Sequence, residues 1–298
     1  MLVSMRDITR AAHEGNYCVM APNVSYEIEA RAAIEAAEEV NAPIILDFVY
    51  GVHPDILFLG NILTRLAEQS SVPVAVNQDH GACMEHNIAA IRAGFTGIMV
   101  DRSLLPYEEN VRQVREMTEI AHGVGVGVEG ELGHVGANDE SMEDSSMYTD
   151  PTQAKSYVES TGIDQLAISI GTAHGPYKGK PNLRFDILED IKNTVDIPLV
   201  LHGSSGTGDD LLSKACQMGI NKMNIYTDLL IGAIKETQKL DLAVDSILEF
   251  YPRITKGYKT RLLEVLEFSG SCGKAWNVRT RVTNRKVVFE KNEVKQSF

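Results

Sequence analysis

The sequence predicts an α/β protein of the (β/α)8 barrel class, a TIM barrel with a C-terminal extension. Three observations carry this reading. Eight short apolar segments recur along the 298 residues, alternating with longer segments of helical periodicity. The apolar segments are nearly continuous, which implies burial on both faces, as in a parallel sheet covered by helices. Eight such units in a row, at a length ordinary for a one-piece barrel, favour a closed barrel over an open doubly wound sheet.

The first candidate strand is "YCVMA" from Tyr17, and "EIEARAAIEAAEEV" after it has helical periodicity. "PIILDF" from Pro43, "PVAVNQ" from Pro73 and "GIMVD" from Gly97 supply the next three, with "YEENVRQVREMTEIAHGV" as the helix after the fourth. "GVGVEGE" from Gly125, "QLAISI" from Gln165, "PLVLH" from Pro198 and "KMNIY" from Lys222 complete the set. Two stretches break the rhythm. Gly133 to Pro151 is long, polar and rich in Asp, Glu, Ser and Gly. It is expected to be a loop on the carboxyl side of the fifth strand, where it can act as a lid. The stretch from Trp276 to Phe298 is dense in Arg and Lys, and its alternation "VRTRVTNRKVVFE" suggests an extended strand that pairs with another subunit. The expected organisation is a barrel over 1–275 and a basic tail over 276–298.

A 44% apolar content supports a full core, and no apolar run approaches a membrane span. The first residues, "MLVSMRDITRAAHEG", have no apolar signal core, and the expectation is a cytoplasmic protein. Cys18, Cys83, Cys216 and Cys272 lie far apart without CxxC spacing and read as reduced thiols. A net charge of -13 argues against a nucleic-acid partner but leaves a small anionic substrate open.

In a barrel, functional groups gather at the carboxyl ends of strands. His80 ends the third strand in "VNQDHGA", His174 follows the sixth in "SIGTAHGPYKG", and His202 ends the seventh in "LVLHGSSG". Each is followed by Gly, which permits a tight turn and close ligand approach. Three histidines on one rim make a three-histidine zinc site with a coordination position left open. His13, His53, His86, His122 and His134 fall elsewhere in helices or loops and read as bystanders. "HGSSG", His202 to Gly206, and "NIYTD", Asn224 to Asp228, each offer backbone N–H groups and hydroxyls before a helix. The loops after strands seven and eight are the recurrent phosphate site of this fold.

The motifs "DHG", "VEGELG", "YTDP", "AISIGTAHGPYKGKPNL", "PLVLHGSSG" and "KMNIYTDL", in this order, resemble the class II, zinc-dependent fructose- and tagatose-bisphosphate aldolases. The resemblance implies that His80, His174 and His202 bind catalytic Zn2+, with Glu131 and Asp101 near an alternate metal position. It makes Asp79 the acid/base at the aldehyde end, and Asn23 a residue facing the substrate. Phosphate contacts would come from Gly175, Lys178, Gly203, Ser205, Asn224 and Thr227, with a monovalent cation, Na+ or K+, beside them. The implied reaction cleaves a ketose 1-phosphate or 1,6-bisphosphate to dihydroxyacetone phosphate and an aldehyde, in a homodimer or homotetramer. A lid carboxyl group would move the second proton, Asp139 by spacing or Glu140 by reach, with Glu143 or Asp144 as further choices.

Four departures stand out. "HxDH" of the family reads "NQDH", so Asn77 replaces a histidine, and the Gly-Gly pair of the lid reads "GANDE". "FVYG" stands where a serine-bearing "VSxG" is usual, bringing Phe48, Val49 and Tyr50 to the far end of the sugar. Arg102 occupies a position where glycine is frequent. The expectation is therefore that fructose 1,6-bisphosphate is a secondary substrate. A ketose 1-phosphate, or a bisphosphate gripped by a neighbouring subunit's Arg253, would serve better. Two other classes compete. A non-catalytic barrel that stabilises a partner aldolase should have lost zinc ligands, and a metal-dependent hydrolase leaves the twin phosphate turns unexplained.

Overall fold

The computed structural model describes residues 1–136, 147–175, 177, 179 and 181–276. Eight parallel strands close on one another in chain order: β1 (Val19–Pro22), β2 (Ile44–Val49), β3 (Val74–Gly81), β4 (Gly97–Val100), β5 (Gly127–Leu132), β6 (Gln165–Ile168), β7 (Leu199–Leu201) and β8 (Ile220–Ile225). Closure comes from β8 returning to β1, with Val19 opposite Lys222 and Pro22 opposite Ile225. The β3 strand runs further than the apolar pattern suggests, so Asp79 and His80 lie within the ladder.

A helix follows each strand: α2 (Glu27–Glu39), α3 (Ile56–Gln69), α4 (Met84–Arg92), α5 (Tyr107–Gly123), α6 (Pro151–Thr161), α7 (Phe185–Thr194), α8 (Asp209–Met218) and α9 (Thr227–Thr237). A leading helix, α1 (Met5–Gly15), and a final one, α10 (Phe250–Ser269), complete the α-helices among the described residues. Local chemistry sets several starts. Asp55 caps α3 by accepting from the Phe58 N–H at 2.9 Å, and Asp150 caps α6 ahead of Pro151.

Alternation along each strand sorts side chains into two cores. Outward residues such as Leu46, Phe48, Val76 and Met223 join the helices in one large apolar layer. Phe48 meets Phe95 edge-on there, with ring centroids 6.0 Å apart. Inward residues are small where the strands converge: Ala21 and Ala75 pack with Ile45, while Ala167 packs with Met99 and Val200. The α1 helix adds Met5, Ile8 and Ala12 to the inner cluster from the amino end of the barrel. Its fit is tight, because a Cβ on Gly97 would lie 2.6 Å from Met5. No helix among the described residues is long and apolar enough to cross a membrane. The centre of the expected lid, 137–146, and the tail from 277 lie outside the described residues; Trp276 packs beside the inner cluster.

The α9 and α10 helices cross where each has a glycine. A Cβ on Gly257 would stand 2.2 Å from the Gly232 carbonyl oxygen. Helical Gly→Ala ordinarily stabilises by about 1 kcal/mol. Here overpacking should reverse the sign, so Gly257→Ala should destabilise by roughly 1–3 kcal/mol, read as a lower urea midpoint against wild type.

Candidate functional site

A cavity of about 480 Å³ opens at the carboxyl ends of the strands, and Asp79, His80, His174, Gly203 and Asn224 line it. Inward-pointing positions of three strands meet in its floor. Asp79, from β3, is buried and receives the Asn23 Nδ2–H at 2.8 Å and the Asn224 Nδ2–H at 3.0 Å. Burial by itself would raise this carboxyl, but His80, His202 and Lys222 outweigh it and hold Asp79 well below the usual carboxylate range. The floor therefore presents an ionised carboxylate clamped by two amides.

The next residue is strained, since His80 sits at φ 48°, outside the comfortable range of a non-glycine residue. Such a conformation costs about 1–3 kcal/mol and persists only where neighbours over-determine it. Arg102, itself buried, does that: its Nη1 donates to the Gly81 and Asp101 carbonyls, each at 2.6 Å. The arginine that departs from the family pattern thus ties the β3 turn to the end of β4.

Each of the three histidines anchors one ring nitrogen on the protein and brings the other near a common point, the one of His202 also lying 3.3 Å from the Asn224 amide nitrogen. His80 Nδ1 meets Asp101 Oδ2 at 2.8 Å, and His174 Nδ1 meets the Val135 carbonyl at 3.1 Å. His202 Nε2 meets Glu129 Oε1 at 2.7 Å. One nitrogen of each ring lies within 4.8 Å of the others, and His80 Nε2 approaches His174 Nε2 to 3.3 Å. Two ring nitrogens at that distance need a cation or a shared proton between them. Burial would lower His80, but Asp79, with Asp101 and Glu131, lifts it to about 10. Burial, with the charges of His80 and His202, pushes His174 down to about 4. The surrounding carboxylates thus favour positive charge between the two rings, at the place a metal would take. The donor set fits zinc: three imidazoles, each with its second nitrogen anchored.

Asp101 and Glu131 belong to the same neighbourhood, since they form with His80 a second group of ligand atoms within 4.8 Å. Asp101 already orients His80 through Nδ1. In Glu131, Oε1 accepts from the Val135 N–H at 2.9 Å, while buried Oε2 has no hydrogen-bond partner among the described residues. Burial first, then Asp101, lifts this carboxyl to about 8.

The loops after β7 and β8 are stitched together at the cavity wall. Ser204 Oγ donates to the Asn224 carbonyl, and Ser205 Oγ accepts from the Tyr226 and Asp228 N–H groups at 3.3 and 3.2 Å. Gly203 is at φ 67°, and a Cβ there would lie 2.7 Å from the Ala173 backbone, so only glycine lets the two segments touch. Gly175, Gly203, Ser205, Asn224 and Thr227 all line the cavity, as does Asn23. Lys178, Asp139 and Glu140 lie outside the described residues, as do Glu143 and Asp144.

Two expectations need correction. His134 is no bystander, because it lines the cavity, contacts Ser103 Oγ at 2.8 Å and lies 3.7 Å from Glu131. Of Phe48, Val49 and Tyr50, only Val49 lines the cavity. Phe48 points outward into the core, and Tyr50 stacks on His86 at 3.6 Å, as strand alternation and the following turn dictate. Sequence reasoning also passed over Asp47, Glu129 and Lys222, all fully buried beneath the histidines. Charged residues inside apolar strands were the available signal.

The family model described as fructose-bisphosphate aldolase class-II matches residues 3–274. An uncharacterised protein of Escherichia coli, YdjI, is 36% identical over 283 residues, covering 92% of this chain and 100% of the relative. A fructose-bisphosphate aldolase of Geobacillus stearothermophilus is 38% identical over 288 residues, covering 92% and 99%. Among solved structures, the YdjI aldolase of E. coli K12 superposes with a TM-score of 0.83 at 33% identity, over 93% of this chain and 100% of that one.

Wild-type protein stripped by chelator should take up zinc stoichiometrically, and His202→Ala should not, with its circular dichroism unchanged. Full zinc occupancy in that variant, measured by elemental analysis after gel filtration, would refute the three-histidine assignment.

Proposed function

The chain belongs to the class II fructose-bisphosphate aldolase family and is therefore a lyase, and from this we propose a zinc-dependent, reversible cleavage of a ketose 1-phosphate or 1,6-bisphosphate. The products are dihydroxyacetone phosphate and an aldehyde. The observation that carries the reading is Asp79: an ionised carboxylate, clamped by Asn23 and Asn224, with its Oδ1 3.6 Å from His202 Nδ1 and 3.8 Å from His80 Nε2.

His80, His174 and His202 would hold zinc, which when bound supplies a Lewis acid for the negative charge that develops on the ketone half. Asp79 takes the proton of the fourth-carbon hydroxyl as the bond between the third and fourth carbons breaks, and returns it in condensation. Asn23 and Asn224 keep its oxygens aimed while that proton moves. Asp139 or Glu140 is proposed to exchange the proton on the carbanion carbon. The ketone-end phosphate is assigned to Gly175, Lys178, Gly203, Ser205, Asn224 and Thr227. The N-terminus of α9 favours an anion at that wall, and a sodium or potassium ion beside these loops belongs to the same reading.

We assign the far end of the sugar to Val49, which gives no hydrogen bond to a second phosphate. Arg253 of this chain contacts Asp245 at 3.2 Å, and the corresponding arginine of a neighbour is the candidate for gripping a bisphosphate. A homodimer or homotetramer in the cytoplasm completes the proposal, supported by exposed Leu242, Val244, Ile247 and Leu248, which a second copy would cover. The retained imidazole and carboxylate set weighs against a non-catalytic stabilising subunit, which has no need of it.

Asp79→Ala should keep zinc but lose about 10²–10⁴-fold in the cleavage rate, measured as dihydroxyacetone phosphate release. Near-normal turnover would remove Asp79 from the mechanism.

A panel of ketose 1-phosphates and 1,6-bisphosphates tests the substrate. A missing hydrogen bond to a charged acceptor costs roughly 1.5–3 kcal/mol, about ten- to a hundredfold. Fructose 1,6-bisphosphate is expected to trail a better substrate by that margin in kcat/KM. If it leads every alternative, Val49 is a neutral change.

A further inference from the structure

Beneath the histidines lies a charge that does not line the cavity. Lys222, on β8, is fully buried; its Nζ donates to Asn224 Oδ1 at 2.7 Å and forms ion pairs with Glu129 Oε2 at 3.0 Å and Asp47 Oδ2 at 3.2 Å, the last without hydrogen-bond geometry. Two of these partners extend upward. Asn224 bonds Asp79 through its amide nitrogen, and Glu129 bonds His202 through its other oxygen. We propose that Lys222 is a positioning residue that fixes, from below, both the direction of the Asn224 amide and the tautomer of His202.

What each group is able to do decides both. An ammonium only donates, and a carboxylate only accepts. Asn224 stands between the two, so one orientation satisfies both: oxygen toward Lys222, nitrogen toward Asp79. The same logic operates through Glu129. Its Oε2 is held by the ammonium, with a longer contact from Gln165 Nε2 at 3.4 Å. Oε1 is left as an acceptor facing His202 Nε2. His202 must then carry its hydrogen on Nε2, which leaves Nδ1 an acceptor, 3.3 Å from the Asn224 amide nitrogen and within ligand reach of His80 and His174. One buried cation thus aligns the amide that holds the acid/base and frees the nitrogen that faces the metal. The inference rests on the proposed aldolase reading for the role of Asp79, and on the metal reading for His202.

Isosteric replacement turns this into a test. In Glu129→Gln, Lys222 keeps the new amide's oxygen on its own side and drives the NH2 group against His202 Nε2. That forces the opposite tautomer, with Nδ1 protonated. Zinc affinity, measured by chelator competition, should fall by about 10–100-fold, the usual cost of losing an outer partner of a metal-bound histidine. In Lys222→Met the carboxylate of Glu129 still accepts from His202, so zinc affinity should stay within about threefold while the Asn224 amide is released. There kcat should fall by about tenfold or more, with KM changed less than about threefold. Burial has already lifted Asp47 to about 8, so it can take up a proton when the ammonium is gone.

The deciding measurement is the double variant Glu129→Gln with Lys222→Met. Without the ammonium, the amide introduced at position 129 can turn its oxygen to His202, so zinc affinity should recover at least about threefold over Glu129→Gln alone. A merely structural lysine gives additive or worse losses, which would overturn the proposal. Where the Lys222 variants fail to fold, as judged by circular dichroism, Glu129→Gln alone decides: unchanged zinc affinity overturns the proposal, and the stated loss supports it. The affinity comparison needs no substrate. It still decides the role of Lys222 in a protein that binds zinc but cleaves no sugar phosphate, an outcome that would count against the aldolase reading instead.

Discussion

A charge with no access to water must have its partners brought to it, and Lys222 imposes that requirement on the centre of this barrel. Its ammonium sits among Asp47, Glu129 and Asn224, contributed by β2, β5 and β8. Ion pairs of this kind add little net stability, because desolvation offsets most of the attraction. What they do impose is direction. Two acid side chains meet one base here, and their responses diverge: burial lifts Asp47 to about 8, while Lys222 and His202 overcome burial and draw Glu129 down to about 2. The carboxylate beside His202 is favoured as the ionised one of the two.

Above this layer the same matching of donors to acceptors continues. Asp101, Val135 and Glu129 each take one nitrogen of a histidine, which turns the other nitrogens toward one another and any cation that arrives. The strained His80 and the buried Arg102 work together. The strain aims the ring inward, and the arginine fastens the Gly81 carbonyl at the end of β3 to the Asp101 carbonyl beyond β4. A site held this way is preorganised by the partners of its histidines.

Much of this was legible in the sequence. Apolar strands with helical segments between them gave the barrel, and the His-Gly strand ends gave His80, His174 and His202, because both signals are local and periodic. The inner layer was harder to read. Asp47, Glu129 and Lys222 lie on three strands far apart in the chain, and their pairing depends on barrel closure, which sets β2, β5 and β8 around one axis. His134 was misread because it follows β5 in a polar stretch that looks like surface, although it folds back onto Ser103. At the far end of the pocket, alternation decided what motif matching could not: Val49 faces in and Phe48 faces out.

The α1 helix has a consequence for traffic. By filling the amino end of the barrel with Met5, Ile8 and Ala12, it leaves, among the described residues, one mouth at the carboxyl ends of the strands. The histidines lie toward the bottom of that dead-end vessel, and the glycine and serine loops form its wall. Under the proposed function, metal, sugar phosphate, aldehyde and water would all pass through the same opening. On that proposal a bound sugar phosphate would act as a cork over the metal position, so that metal would have to load first and would leave only after the product.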